Sequence, residues 1–464
     1  MDLFGLLHLG ARSLQAQRAG VEVAGHNLAN VNNPAYARQR VTLQTSTTIN
    51  STLGPQGSGV EAVAIERLRN TLVDRQIENE LGMGSFLEAQ RNALEQAQAS
   101  LGEVLDLSGS GTQSGLSKNL NRFFTALQGA SASPTSLTER HLVLSAAEEL
   151  ATHLNITGDR LQALDKSLNE SLSNEVDRAN ELLEGIATLN SRIGHVELSG
   201  NGTANDLRDL RQSRLEELAK LVKIDVTERP NGHLSLAIGG QNLLSETAQL
   251  DALEVYTADD GQPRIRTRDG QTPLDLTGGS LQGIIEVRDG PLARLRNQID
   301  TLASTLASEI NAIHQTGFGL DGSTGAALFT GTDARSLRVN AELQEDPAKL
   351  QLSGSTGSAG NNQIAVRLAQ LAEKKLPELG NQSLSSRYNS TVSELGQALA
   401  SVTSKSDDQR AVERMLRIHR DSISGVSLDE EMSDLMKFQK AYEASARLIT
   451  TVDEMLDTVL SLKR

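Results

Sequence analysis

The sequence predicts a mainly α chain with a β-rich insert. It is an elongated, multi-domain molecule in which the N- and C-terminal helices pair, the centre is a helical bundle and the outer part is a β domain. Three observations lead there. Leu161, Leu164, Leu168, Leu172, Val176, Ala179, Leu183, Ile186 and Ile193 follow a three-four spacing, one long apolar helix face. Residues 222–280 alternate apolar and polar positions around Pro-Asn-Gly and Asp-Gly turns instead. The chain is 38% hydrophobic but 2% aromatic, with no Trp, so Leu, Ile, Val and Ala must fill the core, which suits helices packed on helices. Its 464 residues are enough for roughly three domains of about 150 residues.

The elements follow in order. In residues 1–31, Leu3, Leu7, Leu14, Val21, Leu28 and Val31 form one stripe, with Gly10, Gln17 and Ala24 between them. Gly5, Gly10, Gly20 and Gly25 each cost about 1 kcal/mol in a helix interior relative to Ala, so this helix alone in water should fray. The stretch NLANVNNPAYARQRV stops it near Asn30. Pro34 has no amide donor and pushes Asn33 out of the α region, while the asparagines satisfy backbone groups at the helix end. QRVTLQTS and GVEAVAIERL then alternate with period two around the polar arm TSTTINSTLGPQGSG. Helical spacing runs from about Leu68 to Glu103, is broken by SGSGTQSG at 108–115, and resumes over Leu116–Gln128. After SASPTS it resumes again from about Leu137 and ends near Gly200.

After the β-rich stretch, Leu292, Leu295, Ile299, Leu302, Leu306, Ile310 and Ile313 mark a helix with a Gly290-Pro291 start and a stop at Gly317. Residues 317–360 read as irregular or β, and from Gln363 the chain is helical to its end, broken near 377–380 and at Gly425. The last helix carries a capping box, Ser427 with Glu430, with acids at its start and Lys463 and Arg464 at its end. It has two apolar stripes. Leu428, Met432, Leu435, Tyr442, Ala446, Ile449, Leu456 and Leu460 form one; Phe438, Leu448, Val452, Met455, Val459 and Leu462 form the other. One stripe can face the N-terminal helix, and the other needs a second cover. Periodicity allows both to bury in an ordinary bundle or one to form a seam between molecules. The four glycines favour ends that order on assembly.

Composition and motifs exclude several classes. With 44 Lys and Arg against 59 Asp and Glu the formal charge is −15, and no basic cluster makes nucleic acid a partner. No apolar run reaches the roughly 20 residues of a membrane span, and the start lacks a cleavable signal peptide. Without Cys there is no disulfide, thiolate metal site or cysteine nucleophile. GFGLDG at 317–322 matches G-x-G-x-x-G but follows a helix rather than a strand, so it reads as a cap and turn. Asp321 lacks the ligand spacing of a calcium loop, the eight His show no metal spacing, and no G-x-S-x-G elbow occurs. The acids of DEEMSD at 429–434 fit the start of a helix better than paired catalytic carboxylates. The expectation is a protein without catalytic, cofactor or metal sites.

HNLANVNNPAYARQRV resembles the N-terminal signature of bacterial flagellar axial proteins, and SLDEEMSDLMKFQKAYEASARLITTVDEMLDTVLSL resembles the C-terminal signature of hook, rod and hook-associated proteins. SGLSKNLNRFFTALQGASASPTS, NELLEGIATLNSRI with NDLRDLRQSRLEEL, GHLSLAIGGQNLL, and GGSLQGIIEVRDGPL through LDGSTGAALF, with Asn311, His314 and Gly317 between, narrow the resemblance. They point, collinearly, to the hook-associated proteins of the hook-filament junction. Asn33-Pro34-Ala35-Tyr36 departs from the family, which more often has Gly before the aromatic residue. The chain is also short for it, which implies a reduced or missing outer domain.

The resemblance implies a structural subunit exported without a cleaved signal peptide by the flagellar type III export apparatus, with the help of an export chaperone. It would be extracellular, assembling with copies of itself in a ring-like layer, with hook protein below and a second junction protein above. Residues 1–33 with 425–464 would form the inner tube, 34–221 with 281–316 and 361–424 the helical bundle, and 222–280 with 317–360 the β-rich outer domain. Candidate assembly residues are Leu3, Leu7, Leu14, Val21 and Leu28 on the first helix, and Asn30, Pro34 and Tyr36 at the turn. Leu435, Tyr442, Ile449, Val452, Leu456, Val459 and Leu460 complete the set on the last helix. Another axial subunit of hook, rod or filament type, or a helical scaffold that is never exported, are the competing readings.

Overall fold

The structure, a computed structural model, describes residues 3–51, 54–102, 115–200, 202–229, 232–246, 248–358 and 360–462. Pro230 and Asn231 of the expected turn, most of the SGSGTQSG break, and Lys463 and Arg464 lie outside these residues.

In chain order the elements are α1 (Leu3–Ala29), β1 (Gln39–Thr45), β2 (Thr48–Ser51), β3 (Gly54–Gly57), β4 (Val60–Arg67), α2 (Thr71–Leu101), α3 (Gly115–Ala132), α4 (Leu137–Leu198) and α5 (Asn205–Leu221). There follow β5 (Ile224–Glu228), β6 (Leu234–Ile238), β7 (Gln241–Leu244), β8 (Leu253–Thr257) and β9 (Pro263–Thr267). Then come α6 (Gly279–Val287), α7 (Ala293–His314), β10 (Phe329–Thr330), β11 (Arg338–Val339), α8 (Ala341–Glu345), α9 (Gln363–Gln370), α10 (Leu384–Ser424) and α11 (Leu428–Ser461). The fold is mainly α with small antiparallel sheets: β1 with β4, β2 with β3, β5-β6-β7, β8 with β9, and β10 with β11. The helical pattern from Leu137 and the long one through Ile193 are one unbroken helix of 62 residues. Among the described residues no helix is long and apolar enough to cross a membrane.

Two compact units divide the chain. One holds residues 1–85, 175–279 and 408–464, and the other 86–174 and 280–407. In the first, α1 and α11 pack along each other, and β1 lies antiparallel to β4 with Gln39 opposite Arg67. The β-rich residues 222–279 belong here. They are held to α4 by the buried Asn190 amide, which donates to the carbonyls of Leu234 (2.7 Å) and Glu246 (2.9 Å) and accepts from Arg211 (2.6 Å).

In the second unit α3, α4, α7 and α9 enclose the apolar core around Phe123, Leu127, Leu150, Leu306 and Phe329. Residues 317–360 pack into this core with little regular structure, because side chains replace the missing ladders. Asn311 accepts from the amides of Leu328 (2.8 Å) and Phe329 (3.0 Å) and donates to the Phe329 carbonyl (2.8 Å). Fully buried His314 donates from Nδ1 to the Ala326 carbonyl (2.8 Å) and accepts at Nε2 from the Gln351 amide (3.0 Å). That arrangement needs a neutral ring, and burial pushes the His314 pKa down to about 4.

Two expected helix starts differ in the structure. Gly290-Pro291 does not begin a helix. The helical run starts at Gly279 and passes Pro291 in a π-helical turn, Arg288–Leu292, before continuing as α7. Proline lacks the amide that an α turn would use and crowds the carbonyl one turn back, and the wider turn accommodates both. The capping box of α11 is also not formed. Ser427 is the N-cap, but its side chain makes no capping hydrogen bond, and Glu430 reaches Arg38 instead.

Candidate assembly interface

α1 and α11 run antiparallel in a register that repeats every seven residues. Asn27 Nδ2 donates to Glu431 Oε2 at 3.0 Å. Seven residues back on α1 and seven forward on α11, Gly20 lies under Phe438, where an added Cβ would come within 2.5 Å of the ring. Seven further, the hydroxyls of Ser13 and Ser445 are 2.8 Å apart. Near the outer end, a Cβ on Gly10 would stand 2.7 Å from Ile449. A step of seven is two helical turns, so these residues share one face of each helix. Gly10 and Gly20 therefore mark the closest approach of the two helices. Polar pairs between them fix the register.

The C-terminal end of this seam is a hydrogen-bonded joint. The Asn27 carboxamide is fully used: Nδ2 also donates to the Gln39 carbonyl (2.9 Å), and Oδ1 accepts from the Gln39 amide (2.9 Å) and the Tyr36 hydroxyl (2.7 Å). The Asn/Pro turn thus brings the chain back over the helix it has just left, and Asn30 closes that helix by donating to the His26 carbonyl (3.0 Å). Arg38 spans Glu431 (2.7 Å) and Glu430 (2.6 Å). Asp209 of α5 accepts from the Ala37 amide (3.0 Å), Arg67 (2.7 Å) and Arg69 (3.0 Å). Burial raises the Tyr36 pKa, and the charges of Asp206, Asp209 and Glu431 raise it further, so the hydroxyl keeps its proton and acts as a donor.

The candidate residues fall into three groups. Val452 is buried, and Ile449 packs on Gly10. Leu3, Leu7, Leu14, Val21, Leu28, Asn30, Tyr36, Leu435 and Leu456 are half-buried. Pro34, Tyr442, Val459 and Leu460 are exposed. The leucine stripe of α1 is thus not its fully buried face; Gly10, Ala16, Gly20, Val23, Ala24 and Asn27 are. The seam on α11 draws on both apolar stripes, Phe438 and Val452 from one and Ile449 from the other. Leu428, Met432, Met436 (55% exposed), Met455, Val459 and Leu460 (66% exposed) are large apolar side chains that α11 leaves exposed, towards both of its ends. Asn27, Arg38, Glu431, Gly20 and Phe438 were not among the candidates. The signal that could have found all but Arg38 is the heptad spacing of 13, 20 and 27 against 431, 438, 445 and 452.

Among the described residues no cluster of three or more metal-binding side chains occurs. Residues 101–329 match the profile described as the flagellar hook-associated protein FlgK helical domain, and residues 420–462 that of the flagellar basal body rod FlgEFG protein C-terminal region. The chain is 27% identical to flagellar hook-associated protein 1 of Bacillus subtilis, the alignment covering 98% of this chain and 97% of that one. It is 24% identical to the protein of the same name from Salmonella typhimurium, over 99% of this chain and 100% of that one. The flagellar hook junction protein FlgK from Burkholderia pseudomallei has a similar fold, with a TM-score of 0.64 and 16% identity, over 75% of this chain and all of that chain.

Proposed function

We infer that the chain belongs to the flagellar hook-associated protein family and is a structural subunit of the bacterial flagellum at the junction of hook and filament. The observation that carries this reading is the near end-to-end match to flagellar hook-associated protein 1. The paired terminal helices agree with it, since that pairing is what the two terminal signatures imply.

The finer reading is as follows. Copies of the chain form a ring-like layer through the open face of α11 and the outer flank of α1, with hook protein below and a second junction protein above. The support is physical: α11 leaves Met432, Met436, Met455, Val459 and Leu460 exposed, large apolar side chains that a subunit covers by stacking on its neighbours. The terminal pair, residues 1–33 and 425–464, lines the inner tube; 34–221, 281–316 and 361–424 form the shell around it, with 317–360 packed into the core of that shell rather than outside it; 222–280 lie outermost. The chain reaches this place through the flagellar export apparatus, with a chaperone shielding the apolar face of α11 beforehand.

Antibody labelling of isolated flagella and of sectioned cells tests the reading. Label confined to the distal end of the hook is expected. Label along the hook or filament would assign the chain to another axial position, and label confined to the cytoplasm would reject export.

A further inference from the structure

In the joint of α2, α5 and α10, within the first unit, three carboxyls share two guanidinium partners. Asp74 of α2 is held by Arg69 (3.0 Å), and Glu216 of α5 by Arg420 of α10 (2.8 Å). Glu78, one turn beyond Asp74, is 8% exposed and makes no ion pair among the described residues; it accepts instead from the Gln212 side-chain amide of α5 at 2.8 Å. Burial pushes the Glu78 carboxyl up to about 7; the Gln212 bond lowers it, the charges of Asp74 and Glu216 raise it, and Arg75 opposes them. Glu78 also borders two cavities, of about 470 and 290 Å³. In the wall of the wider one Arg67, Arg69, Arg208, Arg211 and Arg229 each hold a carboxylate, whereas Arg75 is exposed and makes no ion pair among the described residues. The narrower one adds Glu80 and Lys223.

We propose that Glu78 is a proton-operated latch between α2 and α5, closed on Gln212 when protonated and turned along its own helix to Arg75 when ionised. A carboxylic acid and a carboxamide exchange two hydrogen bonds, whereas a carboxylate only accepts. In the closed position the charged form would stand beside Asp74 and Glu216 with no cation of its own, and a buried charge without a partner is costly. Residues three apart on a helix are neighbours, so the turn to Arg75 through the wider cavity takes a change of rotamer and no movement of the backbone. Closure is therefore complete at acid pH and is lost as pH rises through about 7. Opening frees α5 from one of its ties to α2. The same helix carries Asp209, which holds the Ala37 amide, Arg67 and Arg69, so the latch makes the seating of the Asn/Pro turn depend on pH.

Amide exchange of the full chain tests it, read as protection relative to the intrinsic rate at each pH. Protection in α5 around Gln212 should fall about tenfold between roughly pH 6 and pH 8, since one proton is released on opening. Glu78→Gln keeps the shape of the side chain and cannot ionise, so α5 should hold its acid-side protection throughout. Arg75→Gln removes the partner of the open form, so the fall should begin at higher pH. Gln212→Ala should lower protection of α5 at the acid end, where the latch is closed. Protection of α5 that does not change with pH in the parent, a fall that persists in Glu78→Gln, or an Arg75→Gln midpoint equal to that of the parent would overturn the proposal.

Discussion

Asn27 and Glu431, 404 residues apart in the chain, are joined by a 3.0 Å hydrogen bond inside the seam of the terminal helices. The same Asn27 amide is bonded to Gln39 and Tyr36, so a single side chain ties the end of α1 to the returning strand and to α11. Replacing it with Asp removes both donors and sets a carboxylate against Glu431. The expected outcome is a local loss of about 3 kcal/mol. Amide exchange should speed up along α1 and α11 but not at the core around Phe123. Unchanged protection in α1 would contradict the role given to Asn27.

Gly20 and Gly25 give opposite predictions for the same change. Both lie inside α1, where Ala is favoured over Gly by about 1 kcal/mol. A Cβ at Gly25 meets nothing within 4 Å, so Gly25→Ala should stabilise the helix by about that amount. At Gly20 it would enter the Phe438 ring, so Gly20→Ala should destabilise by about 1–3 kcal/mol despite its better propensity. Phe438→Leu in the same molecule should return part of the loss, read by thermal unfolding as a double-mutant cycle. Equal effects at the two glycines would show that the seam is not in close contact.

Ser427→Ala tests the missing capping box. Side-chain caps are worth about 1 kcal/mol where they form. Here the Ser427 side chain makes no such bond, and Glu430 is engaged with Arg38. The expected change is under about 0.5 kcal/mol. A loss of full cap size in denaturant unfolding would show that the box forms in solution.

Two buried groups should give pH dependences of opposite sign. Burial pushes Glu78 up to about 7, Gln212 partly offsets this, and the nearby charges of Asp74 and Glu216 add to the rise. A carboxyl with a raised folded pKa stabilises fully below its unfolded pKa, and that stability is lost as pH rises toward 7. Glu78→Gln should therefore flatten the profile between roughly pH 4.5 and 7 and stabilise the protein above it, by about 3 kcal/mol at most.

His314, held down to about 4 by burial, works the other way. Its contribution is complete above its unfolded pKa and is lost as pH falls from roughly 6.5 toward 4. His314→Gln should weaken the second unit at neutral pH and remove that acid-side slope. Melting curves from pH 4 to 8 read both substitutions, and a slope unaltered by either change would contradict the corresponding burial.

Much of the chain was legible from its residues. The first helix ends at Ala29, where the asparagines and Pro34 placed its stop near Asn30, and the alternation after Val222 became five strands. Local chemistry settles such features, because a missing amide or a period of two acts within a few residues. Pro291 shows the limit: a local rule made it a start, but the long apolar face of α7 and the buried Arg288 hold the helix continuous through it.

By itself the sequence determined which segments are helical, where the β-rich stretch lies, that the chain resembles flagellar axial proteins, and that the last helix has more apolar surface than one partner can cover. Only the tertiary structure decided which faces of α1 and α11 meet, in what register, and that Gly10 and Gly20 are contact points rather than weaknesses. Apolar spacing records which side chains avoid water but not what they meet. Whether a missing Cβ weakens a helix or lets another approach depends on a ring more than 400 positions away, such as Phe438 over Gly20.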